Sequence, residues 1–86
     1  MYKYEEEKSK LFTEEGQIEF LKVRDLTKSY LDKTGAFMVD NIINKIGGDS
    51  WFILACLDRL MELNEIKEIT DKYTTFGQHR VFIATE

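Results

Sequence analysis

Apolar residues recur at a helical period in three successive segments of the chain, and the first segment begins after Thr13. This threonine can cap a helix, and Gly35 is typical of a helix end. The spacing therefore predicts a first helix from Thr13 to about Lys33. Its apolar stripe consists of Phe20, Val23, Leu26, Tyr30 and Leu31.

A pair of glycines separates the other two helical segments. The apolar residues of the second helix lie at i, i+3, i+4 and i+7, a spacing that gives a helix one apolar face. These residues are Val39, Ile42, Ile43 and Ile46. The glycines at 47–48 break this helix. Asp49 is the predicted N-cap of a third helix, which ends near Asn64.

The C-terminal part of the chain has the pattern of a β-hairpin. Residues 65–71 are rich in β-branched side chains and alternate imperfectly, and residues 79–85 supply a return strand. Residues 72–78, KYTTFGQ, contain one glycine and are typical of a hairpin loop. A very short strand is also predicted at 36–38, before the second helix.

The N-terminal residues 1–12 are charged and include the run Glu5-Glu6-Glu7. A charge run at a chain end is usually solvated or frayed, so this segment is predicted to be flexible. The chain of 86 residues suffices for one core, and residues 13–86 are predicted to form a single domain.

The turn between the second and third helices has a characteristic pattern. The second helix ends in Ile46, and two glycines and the capping Asp49 follow. Glycine relieves the steric crowding of a tight turn, and the aspartate accepts bonds from free amides. The third helix then carries three spaced apolar residues. A residue that ends the helix and a further apolar residue follow it. These are Ile53, Leu57, Leu60, Asn64 and Ile66.

This turn and the order of the elements resemble the winged helix-turn-helix superfamily, over roughly residues 13–85 and most specifically over 37–66. The resemblance implies an α+β fold, namely a three-helix winged helix-turn-helix domain with a C-terminal β-hairpin wing. It also implies a small transcriptional regulator that binds double-stranded DNA, commonly as a homodimer.

The side of the third helix opposite Leu57 and Leu60 is predicted to face outward. At 100° per residue it carries Trp51, Ala55, Asp58, Arg59 and Glu62. DNA-binding relatives usually carry donors to base edges and phosphates on the equivalent surface. Here the carboxylates outnumber the single guanidinium and repel phosphate. Ser50 and Arg59 are the obvious donors.

A protein partner is the alternative to DNA. In that interpretation, Trp51, Leu54 and Ala55 form the apolar part of the interface, since exposed tryptophan is enriched at interface hot spots. The competing interpretation of Trp51 is structural, with its ring packed over Phe52 or on the hairpin. The sequence favours neither of these roles.

Two further groups of residues are candidates for contacts. The wing offers basic, polar and aromatic side chains that can follow a nucleic-acid backbone, although ordinary polar residues at a hairpin tip are the favoured interpretation. They are Lys72, Tyr73, Gln78, His79 and Arg80. On the first helix, Ile18 and Leu21 lie outside the apolar stripe. Either residues 11–12 cover them or a second copy of the chain does, which would make a homodimer.

Composition narrows the choice of function. The net charge of −4 provides no long-range attraction to nucleic acid or to anionic lipid. The single cysteine, Cys56, cannot form an intramolecular disulfide, so a reduced, cytoplasmic setting is expected. We also expect no signal peptide and no membrane span.

No enzyme constellation is expected. One histidine and one cysteine cannot supply a zinc site of the usual spacing, and the phosphate-cradling glycine motifs are missing from the sequence. We therefore expect no cofactor and no metal. The sequence predicts a non-catalytic winged-helix binding module. DNA binding ranks narrowly first, because it dominates among relatives of this shape, and protein binding ranks second.

Overall fold

The computed structural model describes residues 1–69 and 80–85, and in this part of the chain it contains four helices and a three-stranded antiparallel sheet. The elements in chain order are α1 (Tyr4–Leu11), α2 (Glu14–Thr34), β1 (Ala36–Met38), α3 (Val39–Ile46), α4 (Ser50–Glu62), β2 (Ile66–Ile69) and β3 (Val81–Ala84). The predicted α+β class is confirmed. None of the helices in the described residues has the length and apolar character needed to cross a membrane.

The three predicted helices correspond to α2, α3 and α4, and local signals set their ends. The Thr13 hydroxyl accepts a hydrogen bond from the Gly16 N–H at 3.0 Å, and α2 ends at Gly35 in the left-handed conformation. The Asp49 carboxylate accepts bonds from the N–H groups at the start of α4. Asn64 has a φ of 62° just after that helix. These four predictions are confirmed.

The sheet places β3 between β1 and β2, with antiparallel pairing on both sides. The predicted short strand at 36–38 and the two predicted hairpin strands are thus present. Phe37 of β1 lies opposite Phe82 of β3, and their rings stack with centroids 5.5 Å apart. The predicted loop at 72–78 lies outside the described residues.

The core lies between the helices and this sheet. Each predicted apolar stripe contributes to it, and Phe82 closes it from the sheet side. Fully buried members include Val23 of α2, Ile42 of α3 and Leu57 of α4. Apolar burial of this kind is the main favourable contribution to folding. Ile43 and Ile46, also predicted in the stripe of α3, are only partly buried against the core.

The fourth helix, α1, is a correction to the sequence analysis. Residues 1–12 were expected to be a flexible segment outside the domain, but Tyr4–Leu11 form a helix that packs on α4. Leu11 is buried in the core. The junction with α2 is close: a Cβ added at Gly16 would lie 1.9 Å from the Lys10 carbonyl oxygen. Only glycine therefore fits at this position without a shift of the backbone.

Candidate functional site

The outward side of α4 is occupied by α1. Leu54 is 3% exposed and Ala55 is 0% exposed, so neither lies on an open face. The prediction that Ala55 faces outward, and that Leu54 belongs to an interface, is therefore wrong for this structure. The reason is that α4 is apolar on two sides and α1 covers the second.

Polar side chains tie the N-terminal region to the acidic residues of α4. The Tyr2 hydroxyl donates to Asp58 Oδ2 at 2.6 Å, the Tyr4 hydroxyl donates to Glu62 Oε1, and Lys8 Nζ lies 3.0 Å from Glu62 Oε2. These bonds, which we call the α1–α4 clasp, account for both carboxylates of the predicted face. Phenol hydroxyls and an ammonium satisfy them within the chain.

The α1–α4 clasp shifts the acidity of its members. The hydrogen bonds from Tyr4 and Lys8 lower the pKa of Glu62 to about 2. Partial burial and the bond to a carboxylate raise the pKa of Tyr2 and of Tyr4 well above the usual value. The clasp therefore favours a charged carboxylate next to neutral phenols at neutral pH.

Arg80, a predicted partner-binding residue, bridges two carboxylates of its own chain. Its Nη2 lies 2.7 Å from Asp58 Oδ1 and 2.9 Å from Glu68 Oε1, and its side chain is 13% exposed. The guanidinium also lies 5.0 Å from the centroid of the Phe82 ring. Burial by itself would lower its pKa, but the bonds to Glu68 and Asp58 raise it overall. Arg80 thus links the sheet to α4.

Arg59 is likewise engaged. Its Nη1 lies 3.1 Å from Glu62 Oε1, and its guanidinium lies 5.3 Å from the centroid of the Phe12 ring. The side chains of Asp58 and Arg59 are each only partly exposed. The arginines of α4 and of the start of β3 are therefore paired with acidic residues, which reduces their availability to phosphates.

Trp51 is the one large apolar residue of α4 that stays substantially exposed among the described residues, at 43%. Its ring meets that of Tyr2 edge-on, with centroids 6.5 Å apart. It therefore packs on the N-terminal segment, whereas the structural interpretation placed it over Phe52 or on the hairpin. Its exposed part remains available as an interface anchor. Ser50, next to it, is partly buried.

A cleft of about 530 Å³ opens beside the first turn of α4, and we call it the turn cleft. Its walls are the α1–α2 junction and the α3–α4 turn. The lining residues are Lys10, Thr13, Glu15, Gly16, Glu19, Ile46, Gly47, Gly48, Asp49, Phe52 and Ile53. This cleft was not predicted from the sequence. The sequence feature that could have indicated the cleft is the glycine pair at 47–48. The positive φ values at these positions favour glycine, and glycine places no side chain in the space.

The other predicted contact residues fall into two groups. Ile18 is 54% exposed and Leu21 is 49% exposed, whereas Leu11 turns into the core, so the N-terminal segment leaves both residues open. The homodimer stays a prediction, which sedimentation at several concentrations would check. The predicted wing residues at 72–73 and 78–79, namely Lys72, Tyr73, Gln78 and His79, lie outside the described residues.

The described residues contain no cluster of three or more His, Cys, Asp or Glu side chains placed to hold a metal ion. Burial raises the pKa of the Cys56 thiol to about 12, so this thiol is protonated and unreactive at neutral pH. Comparison with protein-family models, with curated proteins and with solved structures finds no match to this chain. What the protein does is therefore inferred from the arrangement of its own residues.

Proposed function

We propose that this protein is a non-catalytic winged-helix module that binds a protein partner through Trp51 and the turn cleft, which both lie at the N-terminal end of α4. Support for the winged-helix assignment comes from the succession of α3, a glycine turn, α4 and the antiparallel β2–β3 pair, with β1 on the other side of β3. The observation that carries the choice of partner is the placement of α1 on the outward side of α4.

Direct reading of DNA requires α4 to enter the major groove. That groove is about 12 Å wide, and a helix with its side chains is about 10–12 Å in diameter, so the groove admits one helix. With α1 packed on its outward side, α4 is too wide to enter. Asp58 and Glu62 would also place negative charge near phosphates. These arguments rank a protein partner ahead of DNA, which reverses the order suggested by the resemblance.

The exposed chemistry suits a protein interface. Trp51 offers a large, rigid side chain beside Tyr2, and aromatic residues of this kind dominate interface hot spots. The turn cleft lies at the same end of α4 and has an apolar floor of Ile53, Phe52 and Ile46. An exposed aromatic anchor and a partly apolar cleft are features that a peptide or loop of a partner can use.

The first test is a titration of the full chain with mixed-sequence duplex DNA at low salt, in which Trp51 fluorescence is measured at each DNA concentration. Trp51 is the single tryptophan of the chain and lies in the first turn of α4. We expect no saturable change. A saturable change that salt reverses would overturn the proposal, because phosphate contacts weaken steeply with salt.

The positive test is selection of binders from a random peptide display library on the immobilised full chain. We expect peptides whose affinity falls about tenfold or more in Trp51→Ala, since a central aromatic anchor is worth about 2 kcal/mol or more. Leu63→Ala is the matched control: Leu63 is 44% exposed but lies at the opposite end of α4, about 20 Å away by the helical rise. Binders that respond equally to both variants would contradict the proposal.

A further inference from the structure

We propose that the turn cleft recognises a basic peptide segment of the partner, in which an arginine or lysine stands beside an apolar side chain. This inference rests on the proposed function and adds the chemistry of the partner to it. The two halves of the motif correspond to two parts of the cleft, an apolar floor and an acidic rim.

The apolar floor would receive the uncharged side chain. Ile53 is buried, and Ile46 and Phe52 are partly buried. Packing against the core holds Ile46 and Phe52 in place, and their exposed parts line the cleft. A volume of about 530 Å³ lies inside the range of about 300–1,000 Å³ that is typical of ligand pockets. A leucine, isoleucine or phenylalanine side chain would remove this apolar surface from water.

The rim would attract the cation. The residues that line the cleft include three carboxylates and one ammonium. They are Glu15, Glu19, Asp49 and Lys10. That ammonium, Lys10 Nζ, lies 2.9 Å from Glu7 Oε1, and its pKa is raised by the bond to Glu7 and also by the charge of Asp49. Lys10 is thus shared between Glu7 and Asp49, so Glu15 and Glu19 are the rim carboxylates that a partner's cation would meet.

The acidic residues of the rim differ in how far they are satisfied. Asp49 accepts bonds from the N–H groups of α4, so the helix terminus offsets much of its charge. Glu15 and Glu19 lie one turn apart on α2, where like charges repel. Glu19 pairs with Lys22 at 3.2 Å, but both side chains are well exposed and such pairs are weak. A cation placed between the two glutamates would relieve this repulsion.

The same charges argue against other partners. Phosphate or an acidic peptide would meet Glu15, Glu19 and Asp49 at the rim and would be repelled. A wholly apolar segment would leave the acidic rim without a counter-charge. A segment that carries both a cation and an apolar side chain satisfies the floor and the rim together, and Trp51 lies in the same helical turn as Phe52.

The test uses the peptides selected on the full chain. We expect them to share an arginine or lysine next to an apolar residue and to bind more weakly as salt rises. The double variant Glu15→Gln/Glu19→Gln should weaken their binding about 5- to 10-fold, as expected for two partly exposed charge contacts. The matched control Asp25→Asn/Asp32→Asn removes the same charge from exposed positions of α2 that do not line the cleft, and it should change binding less than about 2-fold.

The possible failures are distinguishable. This inference is overturned if the Trp51-dependent peptides lack a basic residue. It is also overturned if they respond equally to the two double variants. In both cases the proposed function still stands. If no Trp51-dependent peptide is selected, both are overturned. Circular dichroism of each variant confirms that it is folded. For the two double variants we expect native spectra, because their substitutions are at exposed or partly exposed carboxylates.

Discussion

The N-terminal end of α4 carries the aromatic residues Trp51 and Phe52, its C-terminal end carries the charged residues Asp58, Arg59 and Glu62, and the surroundings of the two ends are opposite. Near the C-terminal end, Asp58 and Glu62 are bonded by Tyr2, Tyr4, Lys8 and Arg80, and α1 covers the apolar residues between the two ends. At the N-terminal end, Trp51 remains 43% exposed and the turn cleft is open. The difference shows that neighbouring elements, more than helical period, decide which part of this helix can meet a partner.

The contrast extends to the strength of the polar contacts. Arg80, Asp58 and Glu68 have side chains that are 13–16% exposed, whereas Lys8 and Glu62 are about one-third exposed, at 31% and 35%. Exposed ion pairs contribute little because water and salt screen them. The covered end is therefore held by apolar packing and the Arg80 bridge, and the phenol and lysine bonds tune how firmly α1 stays in place.

The largest expected effect comes from the buried apolar surface of α4. Leu54→Ala should lower the free energy of unfolding by about 2–5 kcal/mol, because Leu54 is 3% exposed and its truncation leaves a cavity in the core. Leu21→Ala, the matched control, truncates a leucine that is 49% exposed on α2 and should stay within about 0.5 kcal/mol. Chemical denaturation of both variants measures the difference. Equal effects would show that Leu54 is not buried in solution.

Local features of the fold could be predicted from the sequence, whereas long-range features could not. Thr13, Gly35, Asp49 and Asn64 mark helix ends through bonds within a few residues or through their own φ, so the sequence indicated α2, α3 and α4 correctly. The β-branched, imperfectly alternating residues 65–71 and the return strand expected at 79–85 likewise indicated strands where β2 and β3 lie.

The position of α1 could not be obtained from such signals. The bonds that join the N-terminal region to α4 connect residues that are separated by 54 to 58 positions in the chain, and no local pattern reports them. One signal was nevertheless present: the run from Ile53 to Leu57 is apolar at every position, and a helix that is apolar all round is buried on more than one side. The turn cleft depends on how the α1–α2 junction meets the α3–α4 turn, which is again a long-range property.

The next effect in size concerns Arg80. Arg80→Met keeps an unbranched apolar stem but leaves Asp58 and Glu68 without their shared cation, at little-exposed positions. We expect a loss of about 2–4 kcal/mol in the free energy of unfolding, since an unpaired charge in such a place is costly. Lys22→Met breaks the exposed pair with Glu19 and should cost less than about 1 kcal/mol. Similar losses in both variants would contradict the structural role of the Arg80 bridge.

A smaller effect is expected from the Tyr2 hydroxyl. Tyr2→Phe removes the bond to Asp58 Oδ2 while it keeps the ring beside Trp51, and it should cost about 1 kcal/mol at this partly buried site. Amide hydrogen exchange should speed up in α1 more than in α2. Tyr30→Phe removes the same atom near Phe37, away from α1, and should leave α1 exchange unchanged. Uniform acceleration in all helices would argue against a local role.

The smallest expected effect is a pH dependence of the α1–α4 clasp. The folded structure lowers the pKa of Glu62 from 4.5 to about 2, so this carboxylate stabilises the clasp above pH 4.5, and the contribution is lost as the pH falls from there towards 2. Because Tyr2 contacts Trp51, loosening of the N-terminal region should change Trp51 fluorescence in this window.

Other carboxylates titrate in the same range, so the informative quantity is the difference between variants. In a plot of Trp51 fluorescence against pH, Glu62→Gln should flatten the part that arises from the clasp. Glu6 is an exposed carboxylate of α1, and Glu6→Gln should leave that part unchanged. Identical curves for the two variants would mean that Glu62 does not hold α1 on α4.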